Sequence, residues 1–331
     1  MAYSIRGSRC PELATTLTTD QRRPADALVA RRQRSLWGDA LTRLLHNRAA
    51  VVGLVVIAFA AFVAIFAGVL APYDPLAQDP PKQLMEPIFT KAFGSQYTDP
   101  AFILGSDALG RDLLSRLMYG SRIGLIVGFV PVTIIFVIGL SVGMLAGYLG
   151  GWVDNVLMRF TDVIYAFPDL LFVIIIVAML RSTSAGELMG GLLVIFIGIA
   201  VVNWVGLARL VRGQVLSIKH REYVEAARCV GASPIWIMSR HVFPNILAPV
   251  IVSVAFAIPG ALLTEATLSF IGIGIKPPTP SLGTMIADGF VVFSTTPWPV
   301  LLPALCISVL LLAFTFVGDG LRDALDPRSK M

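Results

Sequence analysis

Six long apolar stretches, separated by polar segments, dominate the pattern of the chain. A membrane-spanning helix needs about 20 mostly apolar residues, and each stretch approaches or exceeds that length. The stretches cover residues 49–71, 123–153, 163–180, 188–208, 242–264 and 289–318. The third contains Asp169 directly after Pro168, and in the last a TTPWP sequence places the helix start near Trp298. The pattern predicts an all-α, polytopic membrane protein with about six transmembrane helices.

The flanking segments complete this organisation. Apolar residues at helical spacing before the first stretch predict an amphipathic helix in the membrane interface, and residues 110–122 predict another on the outer surface. The predicted segments are a disordered cytoplasmic N-tail (1–34), an interfacial amphipathic helix (35–48), the first transmembrane helix (49–71), an extracytoplasmic segment (72–121), a transmembrane core (122–320) with a cytoplasmic loop (213–245), and a cytoplasmic C-tail (321–331).

The composition supports a membrane protein. Of the 331 residues, 56% are hydrophobic and 14% are charged, whereas soluble domains carry about 45–50% apolar and about 25% charged residues. The net charge of +5 raises the question of nucleic-acid binding, but the basic residues cluster between the apolar stretches, which favours a role in topology. With the N-terminus inside, 19 of the 26 Lys and Arg residues fall in inside segments. Because positive loops stay cytoplasmic, both termini are expected in the cytoplasm.

Sequence patterns for catalysis and metal binding are absent. The chain has no GxxxxGK[ST] phosphate loop, so any ATP must be hydrolysed by another chain. Its three histidines and three cysteines are scattered and form neither a metal cluster nor a disulfide framework. No Ser/His/Asp set converges, which argues against a membrane enzyme. We therefore expect no catalytic residue, no metal ligand and no cofactor on this chain.

The most informative segment is the loop between the fourth and fifth stretches, where residues 221–249 read REYVEAARCVGASPIWIMSRHVFPNILAP. Its residues predict a helix, a break and a second helix. Gly231 is a natural helix stop, because glycine adopts the left-handed conformation without a Cβ penalty. Ser233 and Pro234 then indicate the cap and the first residue of the second helix. Pro244 is expected to end or kink that helix before the membrane.

The first helix of this loop has an apolar face at the spacing i, i+3, i+4 and i+7. That face consists of Tyr223, Ala226, Ala227 and Val230. We expect it to pack against the protein's own helices, which leaves Glu222 and Glu225 directed toward the cytosol or a partner.

Three acids lie in or beside the apolar stretches. Glu265 is well inside the fifth, and a charge buried in the membrane is costly and indicates function by default. It is a candidate to line a pathway or to anchor an outer gate, with a structural hydrogen bond near the outer end of its helix as the favoured alternative. Asp162 and Asp169 have the same two possible roles, in the pathway or in a structural hydrogen bond, but lie closer to predicted helix ends.

Glycines recur four residues apart, a spacing that lets transmembrane helices approach closely. The sets are Gly124/Gly128, Gly139/Gly143/Gly147 and Gly186/Gly190. Packing within the chain is the favoured interpretation, and contact with a second membrane subunit is the alternative.

Several motifs resemble those of a known family. Glu225-Ala226-Ala227, three residues, Gly231, nine residues and an element ending in Pro244 resemble the EAA loop of ABC importer permeases. The family's usual closing Ile-x-Leu-Pro is His-Val-Phe-Pro here. Residues 104–125, 158–162 with 167–168, and 265–272 are similar to signatures of the "C"-type permease subunit of dipeptide, oligopeptide and nickel importers. The resemblance covers about residues 35–328.

This resemblance implies a type I ABC importer permease fold in a bacterial cytoplasmic (inner) membrane, with transport by alternating access. The loop would couple to a groove of the ATPase through Glu222, Glu225, Ala226, Ala227, Gly231 and Pro244. The implied partners are a second homologous permease subunit, two ATP-binding cassette subunits that hold ATP and Mg²⁺, an extracytoplasmic solute-binding protein and the lipid bilayer, with no nucleic acid. The implied substrate is a di- or oligopeptide, with nickel or another small solute as the main rival.

An alternative from another class is an ion-coupled secondary transporter or a channel. Secondary transporters usually show inverted repeats or helices broken near the midplane. The sequence shows no internal repeat, although Pro259 could kink a helix. Co-purification of an ATPase would separate these hypotheses.

Overall fold

The computed structural model describes residues 36–326, and its regular elements in this range are helices with short 3-10 turns. The predicted N-tail at 1–34 lies outside the described residues. The chain divides into two units, Met1–Asp39 and Ala40–Met331, and the described part of the first, 36–39, is helical. The helices are α1 (Leu36–His46), α2 (Arg48–Ile65), α3 (Ala67–Leu70), α4 (Leu113–Leu149), α5 (Gly151–Tyr165), α6 (Asp169–Arg181), α7 (Leu192–Ile218), α8 (Glu222–Cys229), α9 (Pro234–Ile237), α10 (Phe243–Phe270), α11 (Leu282–Phe290) and α12 (Trp298–Leu325).

Within residues 36–326, five helical segments are long and apolar enough to cross a membrane, and they contain α2, α4, α7, α10 and α12. Helices α5 and α6 meet at a bend of 86° and provide a sixth crossing if the pair counts as one span. This confirms the predicted all-α class with about six spans. The predicted third span at 163–180 is nevertheless not one straight helix, because Pro168 disfavours the helical conformation of the residue before it.

The second span begins earlier than predicted. Helix α4 starts at Leu113, so the predicted separate surface helix at 110–122 is wrong. The Asp112 carboxylate caps α4 by accepting hydrogen bonds from the Ser115 backbone N–H (2.8 Å) and hydroxyl (2.6 Å). The last helix is also longer than predicted, since α12 continues to Leu325. The first residues of the predicted C-tail at 321–331 are therefore helical, and 327–331 lie outside the described range.

Close approach of α4 and α7 forms the centre of the bundle. A Cβ atom added at Gly143 would lie 2.5 Å from the Ala208 carbonyl oxygen, and one at Gly147 would lie 2.8 Å from Val215 Cβ. Val215 is fully buried. For Gly139, Gly143 and Gly147, the prediction of packing within the chain is confirmed.

These contacts also orient the bundle. Successive glycines of α4 contact successive residues of α7, namely Leu207, Val211 and Val215, so the two helices run in parallel. The residues before α4 and those after α7 therefore lie at opposite ends of the bundle. Residues 71–112 form an irregular connector with 3-10 turns at Pro80–Lys82 and Ile88–Phe93. Residues 219–242 contain α8 and α9. We call these regions the connector and the coupling loop, and they occupy opposite ends of the bundle.

Helix α1 corresponds to the amphipathic helix predicted at 35–48. Leu44 is buried in a small cluster with Ala50 and Ala324, whereas Leu41 and Leu45 are exposed. Asn47 separates α1 from α2 and caps the latter by accepting from the Ala49 backbone N–H at 3.1 Å. The location of α1 in the membrane interface stays a prediction.

Candidate functional site

The coupling loop has the predicted helix, break and second helix. Helix α8 ends at Cys229, and Gly231 adopts the left-handed conformation with φ of 84°. A Cβ atom at Gly231 would meet nothing within 4 Å, so the backbone conformation rather than space requires glycine. The Ser233 hydroxyl accepts from the Trp236 backbone N–H at 3.4 Å, and Pro234 opens α9. The prediction of this local structure is confirmed.

The buried face of α8 differs from the predicted one. Val224 and Ala227 are buried, whereas Tyr223, Ala226 and Val230 are exposed. The helix is therefore rotated from the predicted register, and the prediction that Tyr223, Ala226 and Val230 pack inward is wrong. Both candidate acids, Glu222 and Glu225, are exposed as expected.

The exposed surface of the coupling loop is largely apolar. Val230 is 86% exposed and Ile235 is 80% exposed. Trp236 is 48% exposed and lies edge-on to the His241 ring, with 5.0 Å between the ring centroids. Apolar groups clustered at a surface mark a site of interaction with another protein or with a membrane.

Pro244 neither ends the helical path nor separates it from the membrane span. Residues Met238–Val242 form a π-helical turn that joins α9 directly to α10, so the helical path from Pro234 to Phe270 is continuous. Proline has no N–H to donate to the preceding turn, and π-turns occur as local bulges within α-helices. The wide turn thus accommodates Pro244 near the start of α10.

Two contacts join the coupling loop to the turn between α4 and α5. The Lys219 ammonium donates to the Gly147 carbonyl oxygen at 3.0 Å. The Arg228 guanidinium of α8 lies 5.5 Å from the centroid of the Tyr148 ring, within the range of a cation–π interaction. Both contacts reach the last turn of α4, directly before the start of α5.

Ion pairs hold α5 against α7. Arg212 forms a bidentate pair with Asp154, at 2.5 and 2.7 Å. Arg209 donates to Asp162 at 2.8 Å and lies 4.2 Å from the Tyr165 ring centroid. Asp162 is a candidate from the sequence, whereas neither arginine was predicted. Their spacing of three residues on α7, which carries no other charged side chain, was the available signal.

The other two candidate acids have different surroundings. Glu265 is 2% exposed and accepts from the Ser269 hydroxyl at 2.7 Å. Helix α11 packs closely beside this turn of α10, since a Cβ atom added at Gly283 would lie 2.7 Å from the Ala266 carbonyl oxygen. The bond to Ser269 agrees with the structural hydrogen bond favoured from the sequence. Asp169 is exposed at the first position of α6, so the three acids do not share one site.

A buried ionic cluster at the connector end was not predicted. The Asp107 carboxylate pairs with Arg111 Nε at 2.6 Å and with Arg116 Nη1. Both arginines also reach Asp288 of α11, at 3.1 and 3.3 Å. The LGSDALGRDLLSR sequence contains three of these four residues, but Asp288 lies far away in the chain. The cluster fastens the connector, α4 and α11 together.

Comparisons with known proteins agree with this geometry. Residues 139–331 match the family described as binding-protein-dependent transport system inner membrane component, and 35–87 match the N-terminal transmembrane domain of oligopeptide transport permease C. The dipeptide transport system permease protein DppC of Haemophilus influenzae is 39% identical over 285 residues, or 86% of this chain and 92% of the relative. The oligopeptide transport system permease protein OppC of Escherichia coli strain K12 is 40% identical over 297 residues, or 90% and 93%.

A solved structure shares the fold. The methionine ABC transporter MetNI, in inward-facing conformations, aligns with a TM-score of 0.53 and 20% identity over 65% of this chain and 98% of that chain. The chain belongs to the family of binding-protein-dependent transport system inner membrane components. It is a multi-pass inner-membrane permease of the "C" type with the type I ABC importer fold, as the sequence motifs implied.

Proposed function

We propose that this permease is the "C"-type membrane subunit of an ATP-driven importer of di- and oligopeptides. The observation that carries the proposal is the coupling loop, an ordered helix pair whose outward side exposes Val230 and Ile235. Such a surface is typical of a docking site for another protein. The relatives named for dipeptide and oligopeptide transport support the substrate class.

The partner at this surface is an ATP-binding cassette subunit, which binds ATP and Mg²⁺ and hydrolyses the nucleotide. Glu222, Glu225 and Ala226 are exposed and contact its groove. Ala227, Gly231 and Pro244 shape the loop from within. The complete importer contains two such ATPases, a second homologous permease subunit and an extracytoplasmic solute-binding protein that docks at the connector end.

The coupling loop transmits the ATPase cycle to the pathway. ATP binding draws the two ATPases together and moves each docked loop. The Arg228–Tyr148 and Lys219–Gly147 contacts pass this movement to the α4–α5 turn. The opening of the substrate pathway then switches from one side of the membrane to the other. Asp162 and Asp169 remain candidates for the pathway, and Glu265 forms a structural hydrogen bond near the outer end of α10.

Both termini and the coupling loop face the cytoplasm, because the Lys and Arg residues are concentrated on that side. Single cysteines at the exposed positions Ser217, after which the coupling loop begins, and Ser184, between α6 and α7, should label from opposite sides with an impermeant thiol reagent in a cysteine-free background. Labelling of both from outside would contradict the topology.

Uptake experiments test the substrate and the energy source. A deletion strain should lose growth on a peptide that supplies a required amino acid and should resist a toxic peptide analogue. Retained peptide uptake with loss of nickel-dependent activity would make nickel the substrate. Uptake into vesicles that is driven by an ion gradient without ATP would instead identify a secondary transporter.

A further inference from the structure

An open cleft of about 690 Å³ lies at the connector end, between residues 86–97 and the start of α12. Its lining includes Glu86, Phe93, Gln96, Tyr97 and Trp298. The volume falls within the range of about 300–1,000 Å³ that is usual for small-molecule sites. We call this space the outer cleft.

Backbone hydrogen bonds and a contact between two aromatic rings fix the walls of the outer cleft. The Glu86 N–H donates to the Tyr97 carbonyl oxygen at 2.8 Å, so the two sides of the 86–97 segment are held together. Gly94, with φ of 94°, ends the 3-10 turn Ile88–Phe93. Phe89 meets the Trp298 ring edge-on, with 4.9 Å between the centroids, which fastens this segment to α12.

The lining combines a carboxylate with aromatic rings that have room for a ligand. Phe93 is 88% exposed and Tyr97 is 74% exposed. Glu86 forms no ion pair with any side chain in residues 36–326. The nearby cation of Lys82 is already paired, with Asp99 at 3.0 Å and Asp79 at 3.9 Å. The cleft therefore carries a negative charge without a partner among the described residues.

A carboxylate beside aromatic rings favours an organic ammonium group. The faces of aromatic rings attract cations, and the carboxylate accepts charge-assisted hydrogen bonds from N–H donors. Aromatic walls also bury the apolar part of a ligand. A free metal ion would gain little from such rings, so the chemistry points to a primary amine with an apolar substituent.

We propose that the outer cleft binds the α-ammonium end of a short peptide before the peptide enters the permease, with Glu86 as the counter-charge. This inference rests on the proposed function, because it gives a second peptide contact to the same importer. The ammonium of a phosphatidylethanolamine headgroup offers the same chemistry, and the experiment separates the two sources.

The test uses the full chain, purified with its co-expressed partner subunits but without the solute-binding protein, in phosphatidylglycerol nanodiscs. Tri-alanine and N-acetyl-tri-alanine serve as probes, and saturation-transfer NMR measures their binding. We expect free tri-alanine to bind and both N-acetylation and Glu86→Gln to weaken binding at least fivefold. The matched control, Glu187→Gln, changes an exposed acid outside the cleft and should leave binding within twofold.

Equal binding of the two peptides, or an unchanged signal in Glu86→Gln, would overturn the inference. So would loss of the tri-alanine signal when phosphatidylethanolamine is added, accompanied by Glu86-dependent co-purification of that lipid. ATP-driven uptake of tri-alanine by the complete importer is measured in parallel. Uptake without Glu86-dependent binding would refute only peptide binding in the outer cleft. Absence of uptake by the wild-type importer would refute the proposed function.

Discussion

The two ends of this permease are built in opposite ways. At the connector end, Asp107, Arg111 and Arg116 are buried and satisfy one another's charges, with Asp288 as a further acceptor. At the loop end, short helices expose Val230 and Ile235. The ionic cluster is completed by contacts within the chain, whereas the coupling loop leaves apolar side chains exposed.

This difference separates stability from coupling. A substitution in the buried ionic cluster leaves a charge without its partner and acts on folding. A substitution at an exposed position of the coupling loop such as Glu225 or Val230 should instead leave the fold intact and act on the transport cycle. Measuring the free energy of unfolding for variants at both ends therefore tests this difference directly.

The largest loss of stability is expected for Asp107→Ala. Its carboxylate pairs with two arginines and also accepts from the Leu109 and Arg111 backbone N–H groups, both at 2.9 Å. Removing one partner from a buried charge cluster costs about 3–5 kcal/mol. We expect a strongly lowered unfolding temperature in detergent and little protein in the membrane. Glu187→Ala, at an exposed acid, should match the wild type, and equal stability of both variants would contradict the role of the cluster.

A smaller loss is expected for Ala227→Leu. Ala227 faces the bundle, and inserting methylene groups into a packed site costs about 1–3 kcal/mol. The neighbouring Ala226 is exposed, so Ala226→Leu should change stability by no more than about 0.5 kcal/mol. Its larger side chain should instead impair co-purification of the ATPase. Similar losses of stability in both variants would favour the predicted register of α8, in which both alanines face inward, and would refute the observed one.

This pair also shows where sequence information runs out. The break at Gly231, Ser233 and Pro234 was predictable because its causes are local. The buried face of α8 was not, because the helix carries apolar residues on two faces and one of them is left for a partner. Periodicity cannot tell which of two apolar faces packs within the chain.

The start of α4 was missed for a related reason. The uncharged run begins at residue 123, so the sequence predicts that the span starts there and assigns the charge of Arg116 to a separate surface helix. The charge is neutralised by Asp107, nine positions away, and by Asp288 on α11. The apolar runs reveal the spans, but the pairing of distant charges depends on the folded arrangement.

An intermediate effect is expected for Gly231→Val. The left-handed conformation costs a residue with a Cβ about 1–2 kcal/mol, and a β-branched side chain increases the strain. Because α8 and α9 are short, the strain should distort the loop locally and leave the bundle folded. We expect a slightly lowered unfolding temperature and loss of substrate-stimulated ATP hydrolysis. Gly231→Asn is the matched variant, since asparagine tolerates this conformation better and should retain more activity.

The smallest effect on stability and a full effect on transport are expected for Glu225→Lys. The side chain is exposed, and such substitutions change the free energy of unfolding by about 0.5 kcal/mol or less. Reversing the charge at a docked surface places like or unmatched charges against the partner, which costs affinity. The variant should therefore insert and melt like the wild type but bind the ATPase weakly and import no peptide. Glu187→Lys makes the same charge change away from the loop and should transport normally. Normal peptide import by Glu225→Lys would show that this exposed helix is not where the ATPase acts, and the contrast between the two ends would lose its functional meaning.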